Sequence, residues 1–155
     1  MAGGPDPKER LEFLNLGQAE IELLAELEPV LEEHADAFVA AFYRHLLSFA
    51  PTRELLRDPA TKKRLLVAQR AYLLSLARPR LDDDYVIERR RIGEAHERIG
   101  LAPSWYLGAY SLYFSLLTPL VYEAFPQDPE RASRILAALQ KLLTFDSEIA
   151  IDAYI

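Results

Sequence analysis

Three histidines are the side chains of this sequence best suited to bind a metal ion or to move a proton near neutral pH. The chain has no cysteine, which excludes disulfides, thiol catalysis and thiolate metal sites. His34 and His45 stand 11 residues apart (45 − 34) on one predicted helix, so they fall on the same side of it. Tyr43, just before His45, points roughly the opposite way. Only one of these two faces can line a given pocket, and we interpret both histidines as structural or exposed.

The third histidine, His96, lies among aliphatic residues. Ile92 and Ile99 share its helix face, and Gly93 is close by in the sequence. Apolar neighbours, with a glycine that permits close approach, are what an axial ligand of haem iron requires. The same pattern also fits a core histidine bonded to a backbone carbonyl, and the residues alone leave both interpretations open. No second histidine stands at metal-ligand spacing from His96, so a zinc site is not expected.

Two clusters of charge precede His96. The three aspartates at 82–84 are interpreted as a solvated cap of the following helix rather than a cation site. The three arginines at 89–91 are interpreted as a charged face paired with nearby acids, and Arg89, on the stripe of His96, is the best placed to meet a haem propionate. The sequence contains no glycine-rich phosphate loop and no nucleophile elbow.

Composition predicts one globular domain over residues 16–155, preceded by a flexible segment at 1–15. The chain has 155 residues, of which 50% are hydrophobic, and its six glycines are too few for a turn-rich sandwich or barrel. The formal net charge of −6 provides no basic excess, so no nucleic-acid partner is expected. Neither a signal peptide nor an apolar stretch of membrane length is visible, so we expect a cytoplasmic protein without a membrane span.

Proline and glycine divide the chain into helical segments, and we predict an all-α domain with six substantial helices and one short helical turn. Asp58-Pro59 and Asp128-Pro129 combine an N-cap with a proline in the first helical turn. Gly100 is expected to end a helix in the left-handed conformation. The predicted helices run over residues 18–27, 29–49, 59–76, from the 82–84 cap to 99, 103–124, and from 129 to the C-terminus, with the short turn at 52–56.

Two of these helices are apolar on nearly all sides. Helix 29–49 includes Phe42 and Tyr43, and segment 103–124 includes Trp105 and several tyrosines. Such helices are surrounded by neighbours rather than lying on a surface. So many aromatic residues indicate a dense core, a large flat ligand or a subunit interface.

A long pattern centred on His96 continues at matching positions on both sides of it. The residues that carry it are Phe42-Tyr43, Leu66, Gln69, Tyr72-Leu73, Asp83-Asp84-Tyr85, Arg89 to Gly93, His96, Arg98 to Leu101, Pro103, Trp105-Tyr106, Gly108-Ala109-Tyr110, Leu142-Leu143, Asp146 and Asp152-Ala153-Tyr154. This pattern resembles the sensor domain of bacterial globin-coupled sensors over nearly the whole chain from about Leu16. The resemblance implies a globin fold that holds haem b. His96 matches the proximal histidine, and Tyr43, 53 residues earlier (96 − 43), matches a distal tyrosine that can donate its hydroxyl to a bound gas.

The resemblance also places helix 59–76 on the distal side of the haem. Its inward stripe consists of Leu65, Ala68 or Gln69, and Tyr72. Leu65 and Ala68 cannot donate a hydrogen bond, and Gln69 is the nearest amide. The ten residues predicted to bind the haem are His96, which is also the metal ligand, Tyr43, Phe42, Leu65, Ala68, Gln69, Tyr72, Ile92, Ile99 and Trp105.

The function implied by the resemblance is a haem-based oxygen sensor domain that also binds CO and NO and signals to a C-terminal output domain or a partner. In this interpretation the chain itself is not an enzyme. One alternative is a single-domain globin with oxygen or nitric-oxide chemistry of the dioxygenase type. Another is a haem-free globin acting as a stress-sensor module, against which His96 argues because such a module has no need of it.

A homodimer through helices 103–124 and 129–153 is also predicted, because the family pairs these helices as a four-helix bundle. The last helix carries more apolar residues than one face needs to cover its own core, and a two-fold bundle would bury the surplus. The residues that indicate this surplus are Leu136, Leu139, Leu142, Leu143 and Ile149.

Overall fold

The computed structural model describes residues 5–155, and this part of the chain is helical throughout its regular structure, as the sequence predicts. The six predicted helices are present, and the predicted turn at 52–56 is the short helix α4. None of the helices formed by these residues combines the length and the apolar character that a membrane crossing requires. The elements are α1 (Pro7–Leu14), α2 (Gln18–Ala25), α3 (Glu28–Leu47), α4 (Ala50–Leu55), α5 (Pro59–Ser75), α6 (Asp83–Arg98), α7 (Pro103–Ala124), α8 (Pro129–Ile151) and a final 3-10 turn, η1 (Asp152–Tyr154).

Local caps begin and end the helices where the sequence predicts them. The Asp58 carboxylate accepts a hydrogen bond from the backbone N–H of Thr61 at 3.1 Å, and Asp82 accepts one from Tyr85 at 2.9 Å. A third aspartate caps α8 in the same way. Gly100 has φ of +79°, the left-handed conformation that glycine adopts without strain. These caps satisfy backbone groups that helix ends otherwise leave unpaired, so the boundaries of α5, α6 and α8 are set locally.

Helix α8 is the centre of the domain, packed against α1, α2, α6 and α7. The prediction that α8 carries more apolar residues than its own core needs is therefore wrong. All five residues that indicated it are at most 6% exposed within the single chain, because neighbouring helices already surround α8. These residues are Leu136, Leu139, Leu142, Leu143 and Ile149, so they leave no apolar seam for a second copy to cover.

The expected flexible segment at 1–15 is wrong for residues 7–14, which form α1, while Met1–Gly4 lie outside the described residues. Asp6 caps this helix by accepting from the backbone N–H of Lys8 at 2.9 Å. Arg10 is buried and bridges to Asp152 of η1, with 2.7 Å between Nη2 and Oδ2. Prolines and charges make the segment resemble a loop in sequence, although Asp6-Pro7 is the same start signal as at α5 and α8. The contact of Arg10 with Asp152, near the other end of the chain, adds a tertiary reason why the segment is helical.

Candidate functional site

A cavity of about 490 Å³ lies between α3, α4 and α5 on one side and α6 and α7 on the other. Its lining is mostly apolar. The walls bring together nine of the ten residues predicted from the sequence: Phe42, Leu65, Ala68, Gln69, Tyr72, Ile92, His96, Ile99 and Trp105. The exception is Tyr43. His34 and His45 are also outside the lining, in agreement with their predicted structural or exposed roles.

The His96 imidazole has one nitrogen engaged and one available. Its Nδ1 lies 2.7 Å from the carbonyl oxygen of Ile92, one turn earlier on α6. Because a carbonyl only accepts hydrogen bonds, Nδ1 must carry the proton, and in the neutral ring Nε2 then holds a free lone pair. A hydrogen bond of this kind is what fixes the ring orientation of metal-ligating histidines. Both interpretations offered by the sequence therefore apply to this residue: it is bonded to a carbonyl and it can also bind a metal.

Tyr43 does not line the cavity in this structure. Its ring is partly exposed on α3, with the ammonium of Lys62 at 5.0 Å from the ring centroid. The preceding residue, Phe42, occupies the cavity wall and packs edge-on against Tyr113, with 5.0 Å between ring centroids. The geometry thus separates the two neighbours Phe42 and Tyr43, which the sequence had assigned to one pocket.

Three tyrosines of α7 that the sequence analysis did not select also line the cavity: Tyr106, Tyr110 and Tyr113. Their spacing of four and three residues places them on one face of the helix, and this periodicity is the signal that could have found them. The hydroxyls of Tyr106 and Tyr110 are 2.9 Å apart, and Tyr113 donates to the side-chain oxygen of Gln69. Burial raises the pKa of the Tyr106 hydroxyl to about 12, so this group is a neutral hydrogen-bonding phenol at ordinary pH.

The charged residues in the lining are two arginines at different depths. Arg64 is exposed on α5, and its guanidinium donates to Thr61 Oγ1 at 3.2 Å. Arg89 is only 8% exposed and faces Asp146, with 3.8 Å between Nε and Oδ1. The predicted role of Arg89 as a propionate partner conflicts with this buried pairing, and Arg64 is the lining cation that reaches solvent.

Gly93 does not serve the cavity as the sequence had suggested. A Cβ built on Gly93 would lie 2.0 Å from the carbonyl oxygen of Ala150, so the missing side chain allows α6 to approach α8 closely. At the open side of the cavity, by contrast, Ile99 is 57% exposed. Near His96 the site therefore has a close packing of α6 against α8 at Gly93, and its entrance is apolar at Ile99.

An apolar cavity between the facing helices of an all-α domain, with one imidazole among its lining residues, is a globin-type arrangement. The fold is that of the globin domain of a Geobacter sulfurreducens globin-coupled sensor, with a TM-score of 0.87 at 24% identity over 99% of each chain. The globin domain of Escherichia coli DosC in its ferric form also matches, with a TM-score of 0.74 at 16% identity over 93% of this chain and 96% of that one.

The chain belongs to the protoglobin family, whose model matches residues 6–155. It is also 39% identical over 156 aligned positions to the heme-based aerotactic transducer HemAT of Halobacterium salinarum. That match covers 94% of this chain and 32% of HemAT, so the chain spans about a third of the length of this relative.

Proposed function

We propose that this chain is a haem-based gas sensor domain that holds haem b in the cavity, with His96 as the axial iron ligand. The observation that carries the proposal is the state of the His96 ring. Its Nδ1 is committed to the Ile92 carbonyl, and its Nε2 is left as a ligand atom in the wall of an apolar cavity. Membership of the protoglobin family and similarity to a heme-based transducer support the same assignment.

The residues around the cavity fit this cofactor. A volume of about 490 Å³ falls in the range of cofactor and ligand sites. Apolar walls suit the macrocycle, and the exposed Arg64 at the entrance suits a carboxylate on its rim. When bound, haem would supply an iron coordination position for a diatomic gas such as O₂, CO or NO. Tyr72, Gln69 and the α7 tyrosines would supply the polar part of the surroundings.

The distal hydrogen-bond donor is part of the proposal, and Tyr43 is kept in that role. Tyr43 and the cavity-lining Leu46 are three residues apart and therefore neighbours on the α3 surface. We propose that the phenol turns from Lys62 towards the cavity when the haem is bound. Gln69 is the other candidate donor to a bound gas. Its side-chain oxygen accepts a hydrogen bond from Tyr113, which leaves its amide hydrogens available.

Absorbance spectroscopy of the reconstituted protein tests the proposal. Addition of ferric haem to the purified chain is expected to produce a Soret band at one equivalent, which shifts on reduction and again with CO. His96→Ala is expected to lose stable haem retention. His45→Ala is the matched control because His45 is exposed and outside the lining, and it should behave as wild type. Full retention of haem with an unchanged ferrous–CO spectrum in His96→Ala would show that another residue binds the iron.

We further propose binding and signalling, rather than turnover, as the role of this chain. HemAT is about three times as long as the matched region, and this extra length supports an output domain that receives the signal, which we propose to be C-terminal. Nitric-oxide consumption by the loaded protein at a rate matching a dedicated dioxygenase would instead favour an enzyme.

A homodimer through α7 and α8 and a cytoplasmic location complete the proposal. The exposed side of these helices supports the dimer, because Leu107 and Tyr122 of α7 are 43% and 41% exposed. A groove between α7 and α8, lined by Phe114 and Ala137 among others, continues this surface. Analytical ultracentrifugation at tens of micromolar should give twice the mass of the chain, and a monomer at that concentration would rule the dimer out.

A further inference from the structure

A buried charged cluster joins both walls of the cavity to α8. Asp146 of α8 is fully buried and accepts hydrogen bonds from Tyr72 of α5 at 2.6 Å and from Tyr85 of α6 at 2.5 Å. Each hydroxyl lies on a different carboxylate oxygen, so an ionised Asp146 has both of its oxygens hydrogen bonded. Arg89 of α6 supplies the opposite charge at 3.8 Å.

The Arg89 guanidinium is held between two aromatic rings. Its central carbon lies 4.7 Å from the ring centroids of both Tyr72 and Tyr85. Its Nε is buried and has no hydrogen-bond partner among the described residues. Electrostatic attraction to Asp146 and the faces of the two rings therefore hold this cation in place. Tyr72 and Arg89 line the cavity, whereas Tyr85 and Asp146 do not.

A second contact lies one turn further along the same two helices. Gly93 is four residues after Arg89, and Ala150 is four residues after Asp146, so each pair shares a helix face. A Cβ on Gly93 would lie 2.0 Å from the Ala150 carbonyl oxygen, so α6 and α8 approach too closely here for a side chain to fit between them. His96 follows Gly93 by three residues on α6. One charged contact and one steric contact thus fix the position of α6, the helix that carries the imidazole, along α8.

We propose that Asp146 and Arg89 are positioning residues for His96, because together they set the register of α6 against α8 and tie the α5 wall to the same carboxylate. This inference rests on the proposed haem function of His96. Sliding α6 along α8 would separate two opposite charges in a medium of low dielectric constant and would push a larger residue into the gap at Gly93. The position of the imidazole relative to the α5 wall therefore depends on a carboxylate that does not line the cavity.

The test replaces both charges while keeping the shape of the cluster. Arg89→Met/Asp146→Asn removes the ion pair, and the amide can still hydrogen bond to both tyrosine hydroxyls. Removing both partners avoids the uncompensated buried charge that a single substitution leaves. In the haem-loaded ferrous protein without gas, the iron–histidine stretching band in resonance Raman spectra is expected to shift or broaden. In the haem-free protein, the amides at the end of α6 are expected to exchange with deuterium faster than in wild type.

Arg131→Met/Glu26→Gln is the matched control. It removes a charge pair that also ends on α8 but reaches the segment after α2 instead of α6. The control is expected to leave the Raman band and the α6 exchange rates unchanged, even if it lowers global stability. An unchanged band together with unchanged α6 exchange in Arg89→Met/Asp146→Asn would overturn the proposal, since the pair would then be merely structural.

Tyr85→Phe provides a milder version that removes one donor to Asp146 without touching the cavity lining. The same changes are expected in the same direction, at smaller size. If the double variant does not fold, an unchanged band and unchanged α6 exchange in Tyr85→Phe overturn the proposal. If wild type fails to bind haem, the proposed function fails, while the exchange of α6 in the haem-free protein still decides whether Asp146 and Arg89 register this helix.

Discussion

Gly93→Ala is expected to destabilise the domain although alanine is the better helix former. Alanine in a helix interior is favoured over glycine by about 1 kcal/mol. At Gly93 the new Cβ would lie 2.0 Å from the Ala150 carbonyl oxygen, with the Ala150 carbonyl carbon and Cα at 2.7 and 2.8 Å. Carbon and oxygen do not approach closer than about 3 Å, so α6 and α8 must separate by about 1 Å. All three obstructing atoms belong to the backbone of the packed helix α8 and cannot rotate away.

The separation of two core helices outweighs the gain in helix propensity. Overpacking of a filled core costs about 1–3 kcal/mol, and rigid backbone on the opposite side places this site at the upper end. The expected net loss is about 2 kcal/mol, or roughly 4–8 °C in the melting temperature of a domain of this size. Urea denaturation followed by circular dichroism measures it.

Gly108→Ala is the matched control, because Gly108 is also inside a helix and a Cβ there meets nothing within 4 Å. This variant should gain about 0.5–1 kcal/mol from propensity alone. If Gly93→Ala proves as stable as Gly108→Ala, the close approach of α6 to α8 does not constrain the fold and the packing argument fails.

Three further substitutions test the cavity. In the haem-loaded protein, Tyr43→Phe is expected to speed oxygen dissociation by about five- to hundredfold, the value of one lost hydrogen bond of about 1–3 kcal/mol, with a much smaller change for CO; equal oxygen rates would remove Tyr43 from the distal role. Burial raises the pKa of Tyr106 to about 12, whereas an unfolded tyrosine titrates near 10. The free energy of unfolding should therefore fall as pH rises from 10 to 12. Urea denaturation at several pH values gives the slope of this free energy against pH, and Tyr106→Phe should make the slope shallower by up to about 1.4 kcal/mol per pH unit; an unaltered slope would contradict the assignment. Arg64→Met should weaken haem retention by up to about fivefold, as expected for an exposed ion pair of about 0.2–1 kcal/mol. Lys63→Met should leave haem retention unchanged, because Lys63 is on the same helix but outside the lining.

Short-range signals account for most of what the sequence predicts correctly. An aspartate followed by proline marks the start of α5 and of α8, and Gly100 marks the end of the segment that carries His96. These signals act over three or four residues, so they need no knowledge of the fold. The helical stripe on α5 likewise placed Tyr72 in the cavity lining, where the structure has it, and left Ala68 and Gln69 as alternatives, both of which line the cavity.

Side-chain direction within a helix that is apolar on all sides was not predictable in the same way. Phe42 and Tyr43 are adjacent, and periodicity gives no reason to prefer one of them for the cavity. The structure places Phe42 against Tyr113 and Tyr43 against Lys62. That choice depends on which neighbours α3 receives from α5 and α7, and those neighbours are distant in sequence.

The sequence by itself determined the helices from α2 onward and their caps, and it singled out His96 as the candidate metal ligand, because each depends on residues within about one turn of one another. Only the tertiary structure decided what lies around α8. The chain pairs Arg89 with Asp146 across 57 positions (146 − 89) and Gly93 with Ala150 across the same 57 (150 − 93). It also buries the apolar residues that resembled a dimer seam. Burial of a charge or of an apolar side chain depends on the elements packed against it, and pairings between distant segments are not encoded in local periodicity.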